Sequence, residues 1–249
     1  MTSALETQDL TIRFGGHVAV DAVSCAFAPG TLTAIVGPNG AGKTTYFNLI
    51  SGQLKATAGR VLLHGEDISG TSAPQRSHRG IGRAFQLTNL FPNLTVLENI
   101  RLAVQSRAGV GLNLWSIWSN HRELTGRAEE VLETVALTAK RDLAAAALPH
   151  GDQRKLEVAI LMALEPDVFM FDEPTAGMSV DEVPVILDLI RSLKARRDKT
   201  ILLVEHNMNV VMSISDRITV MHQGRILAEG SPAEIKANEA AQSAYLGTG

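Results

Sequence analysis

Short apolar runs mark the first and last thirds of the chain, whereas the middle carries the periodicity of amphipathic helices. Such runs, bounded by Gly, Pro and polar residues, are typical of β-strands. Runs that stay apolar throughout indicate a parallel sheet buried on both faces. Gly15 and Gly16 separate the first two runs as a turn. We predict strands at Leu10–Phe14, His17–Phe27, Leu32–Val36, Arg60–Leu63, Ile81–Phe85, Val168–Phe171, Ile201–Val204 and Ile218–Met221.

The middle of the chain is predicted to be a helical insert in an α/β protein. Val96, Ile100 and Val104 form an apolar stripe at helical spacing there. A further helix, between the strands predicted at 168–171 and 201–204, presents one apolar face. We expect a single domain of 249 residues, with an α/β core at 1–86 and 165–235, a helical subdomain at 87–164 and a short C-terminal helix or tail at 236–249.

Composition and charge limit which partners and which compartment we expect for this protein. The formal net charge is −3, which argues against nucleic-acid binding through overall positive charge. The lone cysteine, Cys25, lies in an apolar run and is expected to be a core residue in a reducing compartment. The N-terminus lacks the features of a signal peptide, and no stretch approaches the roughly 18–20 apolar residues of a membrane span. Work at a membrane would therefore require docking on an embedded partner.

Candidate chemistry begins at a glycine-rich loop directly after the predicted strand Leu32–Val36. The loop satisfies G-x-x-x-x-G-K-[ST], a pattern that binds polyphosphates. Its glycines let backbone N–H groups converge on the phosphates, where the following helix also directs its positive dipole end. Lys43 adds a charge for the β- and γ-phosphates, and the Thr44 hydroxyl is placed to ligate Mg²⁺. The predicted nucleotide-binding residues are Gly37, Pro38, Asn39, Gly40, Ala41, Gly42, Lys43, Thr44 and Thr45.

Two carboxylates, Asp172 and Glu173, end the apolar strand predicted at Val168–Phe171. An acidic residue at the C-terminal end of a strand beside a phosphate loop is where Mg²⁺ is held. Asp172 is therefore the candidate magnesium ligand. Glu173 is the candidate general base that polarises the attacking water. The alternative is an ordinary pair of acids at a strand end.

Three weaker features complete the pattern. Gln86 ends the strand predicted at Ile81–Phe85, and His206 follows the strand predicted at Ile201–Val204. Taken singly, a strand-end Gln is commonly a polar cap and a His after a strand is commonly structural. The third feature opens an amphipathic helix ahead of the carboxylate strand and consists of Leu148, Pro149, His150, Gly151, Asp152 and Gln153.

The order of these motifs resembles the ATP-binding subunits of ABC transporters. The resemblance covers essentially the whole chain, from the Phe14 region onward. The matching segments are the Walker A loop (Gly37–Thr45), the Q-loop glutamine (Gln86), the signature motif (Leu148–Gln153), the Walker B aspartate with the catalytic glutamate (Asp172 and Glu173) and the switch histidine (His206).

The resemblance implies a fold, two cofactors and a role for each site residue. The fold is an α/β P-loop NTPase core, with a mixed, mainly parallel sheet, an N-terminal antiparallel β subdomain and an inserted α-helical subdomain. The cofactors are ATP, with Phe14 stacked on the adenine ring, and Mg²⁺. The magnesium ligands would be Thr44, Gln86 and Asp172, and the catalytic residues would be Lys43, Gln86, Glu173 and His206.

Within this superfamily the chain is most similar to the ATP-binding subunits of branched-chain amino-acid importers. The similarity rests on Arg13–Gly16, Arg83–Phe91, Glu173–Met178, Val204–Met208 and Ala244–Gly247. It implies a peripheral location on the cytoplasmic side of the cell (inner) membrane. The implied partners are a second ATP-binding subunit (a heterodimer, or a homodimer in isolation), two transmembrane permease subunits and a periplasmic or extracellular substrate-binding protein, with no nucleic acid.

Two alternative functions belong to the same superfamily. One is an ATPase of lipopolysaccharide export, whose sequences look similar. The other is a soluble ABC-type ATPase that acts on ribosomes or DNA. The single cassette, the lack of a long coiled-coil insert and the lack of a basic surface signal argue against the second.

Two segments depart from the family pattern. The signature usually reads Leu-Ser-Gly-Gly-Gln, whereas Pro149 and His150 replace its Ser and first Gly here. Proline has no backbone N–H and no hydroxyl, so the phosphate contact at that position is lost. Since the family's signature reaches the partner's nucleotide, we expect an asymmetric pair of sites in a heterodimer. The segment after Walker B reads Gly177-Met178-Ser179 where Ala-Leu-Asp is usual.

Both tryptophans, Trp115 and Trp118, lie three residues apart in the insert. They form either a surface for a membrane-embedded partner or part of the packing of the insert, and the sequence leaves both interpretations open.

Overall fold

The computed structural model describes residues 3–84, 90–109, 122–179 and 181–246. Its strands form two sheets. The strands are β1 (Leu5–Phe14), β2 (His17–Phe27), β3 (Leu32–Val36), β4 (Ala58–Leu63), β5 (Glu66–Asp67), β6 (Ile81–Ala84), β7 (Val168–Asp172), β8 (Thr200–Val204), β9 (Arg217–His222) and β10 (Arg225–Gly230).

The larger sheet has the strand order β10-β9-β3-β8-β7-β6. Strand β3 pairs in parallel with β8 and β9, and β7 pairs in parallel with β8, whereas β10 is antiparallel to β9. Every residue of β3, β7 and β8 is buried, as expected for strands without polar alternation. The predicted mixed, mainly parallel sheet is confirmed.

The smaller sheet is antiparallel, with the order β2-β1-β4-β5, and confirms the predicted N-terminal β subdomain. Strands β1 and β2 form a hairpin in which Phe14 pairs with His17 across the turn at Gly15 and Gly16. Gly15 has a φ of 59°, a conformation that glycine adopts without a steric penalty.

Within the part of the chain that the structure describes, three helices begin with a capping box. In such a box a Ser or Thr hydroxyl and a Glu or Gln three residues later satisfy N–H groups at the helix start. The helices are α1 (Lys43–Ser51), α2 (Ala73–His78), α3 (Val96–Arg107), α4 (Arg122–Thr134), α5 (His150–Leu164), α6 (Val183–Ala195), α7 (Met208–Ile214), α8 (Pro232–Ala237) and α9 (Glu239–Leu246).

The chain divides into two compact units. One comprises residues 1–83, 167–173 and 191–249, and the other comprises 84–166 and 174–190. The first holds a core in which Tyr46 and Phe47 of α1 are fully buried. In the second, α3 packs against α4 and α5. The boundaries expected at residues 86, 164 and 235 stay a prediction.

Strand β10 has no counterpart in the sequence prediction. Its residues alternate between exposed and half-buried up to Glu229, and Gly230 is buried, so it lacks the continuous apolar run that marks the central strands. Edge strands of this kind pair on one side only and need little apolar surface. Within the described ranges, no helix combines the length and the apolar character that crossing a membrane requires.

Candidate nucleotide site

The glycine-rich loop leaves β3 and enters α1 through a tight backbone path. A Cβ on Gly37, whose φ is 152°, would stand 2.1 Å from the Met221 carbonyl oxygen. A Cβ on Gly42, whose φ is 96°, would stand 2.5 Å from the Ala19 carbonyl oxygen. Both glycines are therefore required by close backbone neighbours as well as by their dihedral angles.

We expect Gly37→Ala to destabilise the protein by about 1–3 kcal/mol more than Gly40→Ala, the overpacking cost of a methyl group forced onto the Met221 carbonyl. Gly40 is the matched control: its φ is 79°, but a Cβ there meets no atom within 4 Å. It isolates the left-handed backbone cost of about 1–2 kcal/mol. Urea unfolding without nucleotide measures both free energies, and equal losses would contradict the steric role of Gly37.

Lys43 is the first residue of α1, and its ammonium turns back onto the loop. It donates to the carbonyl oxygens of Gly37 at 2.7 Å and of Pro38 at 3.0 Å. Burial lowers the pKa of Lys43, while the charges of Glu173 and Asp172 act in the opposite direction. A cation held this way is desolvated in advance and is available to an anion that enters the loop.

The loop forms one wall of a cavity of about 400 Å³ in the first unit. Residues from distant parts of the sequence complete it. The cavity is lined by Phe14, His17, Ala19, Asn39, Gly40, Ala41, Gly42, Lys43, Thr44, Thr45, Glu173 and His206.

Glu173 and His206 face each other in this cavity. His206 Nε2 lies 2.5 Å from Glu173 Oε1. Glu173 has a φ of 52°, and its N–H donates to the Val204 carbonyl at 2.9 Å. A non-glycine residue in this backbone region is strained, and such strain clusters at functional sites. The pairing of β7 with β8 brings the two side chains together, because the carboxyl ends of adjacent parallel strands meet at one sheet edge.

Asp172 is the last residue of β7 and is 3% exposed. Arg83 on β6 donates through Nη2 to its Oδ2 at 2.6 Å. The other carboxylate oxygen, Oδ1, is buried and has no hydrogen-bond partner among the described residues. Burial raises the pKa of the Asp172 carboxyl, against the hydrogen bond and charge of Arg83, which lower it.

The orphaned oxygen of Asp172 fits a magnesium ligand, because a buried carboxylate oxygen without a donor is otherwise costly. The residues that the structure describes contain no cluster of three or more His, Cys, Asp or Glu side chains able to hold a metal. Proteins bind Mg²⁺ through one or two carboxylates together with water and substrate phosphates.

The signature residues belong to the second unit. Pro149 precedes α5 as its N-cap residue and makes no side-chain cap hydrogen bond. A Cβ on Gly151 would stand 2.0 Å from Glu182 Oε1, so a carboxylate lies against the first turn of α5. Asp152 is held by Lys140 and Lys155. In the same helix, Gln153 Nε2 donates to the Leu148 carbonyl at 3.0 Å.

Comparison with known proteins decides the family. The family model described as ABC transporter matches residues 20–176, and the model described as branched-chain amino acid ATP-binding cassette transporter matches residues 225–249. The chain is 40% identical over 248 residues to the high-affinity branched-chain amino acid transport ATP-binding protein LivG of Escherichia coli K12, with 98% of this chain and 97% of LivG covered. The chain belongs to the ABC transporter ATP-binding family. The resemblance seen in the sequence is confirmed.

Solved structures of ABC cassettes agree with this assignment. The ADP conformation of an ATP-binding cassette of an ABC transporter matches with a TM-score of 0.85 and 30% identity over 99% of this chain and 100% of that one. A dimeric, post-hydrolysis ATP-binding cassette with bound ADP and Pi matches with a TM-score of 0.77 and 25% identity over 92% of this chain and 98% of that one. This chain is an ATP-binding ABC ATPase, as the sequence motifs predicted.

The ABC motifs fall into three groups in the structure. Phe14, most of the Walker A loop, Glu173 and His206 line one cavity. Asp172 lies at the end of β7, next to Glu173 in the chain, and the signature residues lie in the second unit. Gln86 and the two tryptophans, Trp115 and Trp118, fall outside the described residues.

Three residues with contacts in this site were not assigned a role from the sequence. They are Arg83, which holds Asp172; His17, which lines the cavity beside Phe14; and Glu205, a buried carboxylate whose Oε2 accepts from the His206 N–H at 3.0 Å. The sequence could have indicated that Arg83 has a charged partner, because a charged residue inside an apolar strand is seldom buried without one.

Proposed function

We propose that this ABC ATPase powers the import of branched-chain or other hydrophobic amino acids. It would do so while bound at the cytoplasmic side of the inner membrane. The observation that carries the proposal is the cavity in which Lys43 lies with Glu173 and His206. The 40% identity to LivG over nearly the whole of both chains supports the substrate class. The proposed partners are a second ATP-binding subunit, two permease subunits and a substrate-binding protein.

The proposed binding step uses the loop and the hairpin. Backbone N–H groups of the Walker A loop and the Lys43 ammonium hold the phosphates, and the N-terminus of α1 adds its dipole. Phe14, which is 49% exposed, stacks on the adenine ring. Thr44, Gln86 and Asp172 would hold Mg²⁺, which neutralises charge on the β- and γ-phosphates.

The proposed hydrolytic step uses the carboxylate and imidazole at the sheet edge. Glu173 accepts the proton of the attacking water as the water oxygen bonds to the γ-phosphorus, and the bond from that phosphorus to ADP breaks. His206 orients the Glu173 carboxylate through the 2.5 Å contact and contacts the γ-phosphate. ATP binding then closes two such subunits on each other and hydrolysis reopens them, which moves the permease partners between two states.

The substrate class can be tested by purifying the tagged chain from detergent-solubilised membranes and identifying what accompanies it. We expect two permease subunits and a second ATPase. After reconstitution, leucine, isoleucine or valine with the binding protein should stimulate ATP hydrolysis. A reconstituted complex carrying Glu173→Gln is the control. Recovery of a lipopolysaccharide-export permease, or stimulation by none of the three amino acids, would overturn the importer proposal.

The departure at Pro149 leads to a proposal about the pair of ATP sites. Pro149 offers no N–H and no hydroxyl at the position where the family's signature binds the partner's nucleotide. The site completed by this chain's signature is therefore the weaker one. The site built on this chain's own Lys43 is completed by the partner's signature and does most of the hydrolysis.

We expect Pro149→Ser to raise the ATPase rate of the isolated homodimer about tenfold or more, because both of its sites use this signature. Serine restores an N–H and a hydroxyl, and each hydrogen bond to a charged phosphate is worth about 1.5–3 kcal/mol. Pro149→Ala restores the N–H without the hydroxyl and should give an intermediate rate. A wild-type homodimer with strongly cooperative hydrolysis that Pro149→Ser leaves unchanged would contradict the asymmetry.

A further inference from the structure

Arg83 is a buried cation between two parts of the ATP site. Its side chain is 7% exposed, and that of Asp172 is 1% exposed. Burying a guanidinium is unfavourable unless its charge and its N–H groups are matched. The contacts of Arg83 therefore indicate what the residue is placed to hold.

Its contacts reach two elements of the proposed ATP site, the end of β7 and helix α1. Nη2 donates to Asp172 Oδ2 at 2.6 Å, and Asp172 ends β7. Nη1 donates to Asn48 Oδ1 at 2.6 Å and to Ser51 Oγ at 3.0 Å, both on α1. The guanidinium also lies over the ring of Phe47 on α1, 5.7 Å from its centroid.

The guanidinium thus connects the Walker B aspartate to the helix that begins at Lys43 and Thr44. Arg83 also makes the hydrogen bonding of the two Asp172 oxygens unequal. Oδ2 accepts from Arg83, while Oδ1 has no hydrogen-bond partner among the described residues. The planar guanidinium separates its two Nη groups, so one binds the carboxylate oxygen while the other binds two acceptors on the helix. Lysine has the charge but not this geometry.

We propose that Arg83 is a positioning residue for ATP hydrolysis, which holds Oδ2 of Asp172, leaves Oδ1 for the Mg²⁺ that would accompany ATP, and fixes Asp172 relative to α1. This inference rests on the proposed magnesium role of Asp172. Residues that orient metal ligands typically change metal affinity or activity by about 10–100-fold when replaced. In this proposal Arg83 acts through Asp172.

The test measures nucleotide binding as a function of Mg²⁺ in the Glu173→Gln background, where turnover does not interfere. With a fluorescent ATP analogue, we expect Arg83→Lys and Arg83→Gln to raise the half-saturating Mg²⁺ concentration about tenfold or more. Affinity in EDTA should change less than about twofold. In the hydrolysing protein, kcat should fall more than KM rises.

Two further variants separate positioning from simple stabilisation. Arg79→Gln removes an exposed Arg–carboxylate pair, with Glu66, in the same unit and should leave the Mg²⁺ response unchanged. Asn48→Ala removes one anchor of the guanidinium and should shift the response in the same direction by less. Combined with Arg83→Lys, it should add little, because both act through one contact network.

The outcomes distinguish this inference from the proposed function. If wild-type protein binds ATP with a Mg²⁺ dependence and both Arg83 variants keep that dependence, the role of Arg83 is refuted, even where their melting temperatures fall. If Arg83→Gln fails to fold, Arg83→Lys and Asn48→Ala decide. If wild-type protein shows no Mg²⁺ dependence at all, the proposed magnesium site is wrong.

Discussion

Glu173→Gln is expected to lower the rate of ATP hydrolysis by about 10²–10⁴-fold, the range contributed by a positioned general base, while ATP remains bound. Glutamine keeps the size and hydrogen-bonding reach of the side chain but cannot accept a proton from water. It also replaces the carboxylate that lies 2.5 Å from His206 Nε2. The Lys43 ammonium and the loop N–H groups are untouched, so the affinity for ATP should stay within a few-fold of the wild type.

The measurement pairs steady-state phosphate release with the dissociation constant of ATP, in the isolated protein and in the assembled complex. Glu66→Gln is a suitable control, because Glu66 is an exposed carboxylate of the same unit whose ion-pair partner is Arg79. Its rate should equal that of the wild type. A Glu173→Gln variant that turns over normally would refute the assignment of Glu173 as the base.

Lys43→Ala should lower the affinity for ATP, in contrast to Glu173→Gln, which lowers the rate of hydrolysis. The ammonium that donates to the Gly37 and Pro38 carbonyls is buried, and burial already lowers its pKa. Phosphate oxygens would give this cation the charged partner that the carbonyls do not provide. Loss of one hydrogen bond between charged groups costs about 1.5–3 kcal/mol, so the dissociation constant of ATP should rise roughly 10–100-fold.

Isothermal titration with ATP measures this change directly, with Lys55→Ala as a control at an exposed lysine of the same unit. Lys55→Ala should bind ATP as the wild type does. Unchanged affinity in Lys43→Ala would contradict the phosphate role of the loop lysine. Opposite profiles, with rate lost in Glu173→Gln and affinity lost in Lys43→Ala, would separate the chemical step from binding.

Much of the fold could be predicted from the apolar pattern. The strands His17–Phe27 and Leu32–Val36 are confirmed at the same bounds. Leu32–Val36 is buried throughout and so leaves a continuous apolar run, whereas the second half of His17–Phe27 alternates between buried and exposed positions. Strand Arg225–Gly230 and the two-residue strand Glu66–Asp67 were not predicted. Both have exposed positions and are held mainly by backbone hydrogen bonds. These bonds depend little on which side chains are present, so the sequence gives little indication of such strands.

The sequence by itself determined the glycine-rich loop and the acids that end β7, because each lies within one short segment whose pattern needs no distant neighbour. Only the tertiary structure decided which distant side chains meet. Arg83 contacts Asp172 across 89 residues, and Glu173 contacts His206 across 33. Both contacts follow from strand order: β6, β7 and β8 are neighbours in one sheet. No local pattern of residues encodes which strands become neighbours, since that depends on how the whole apolar surface is buried.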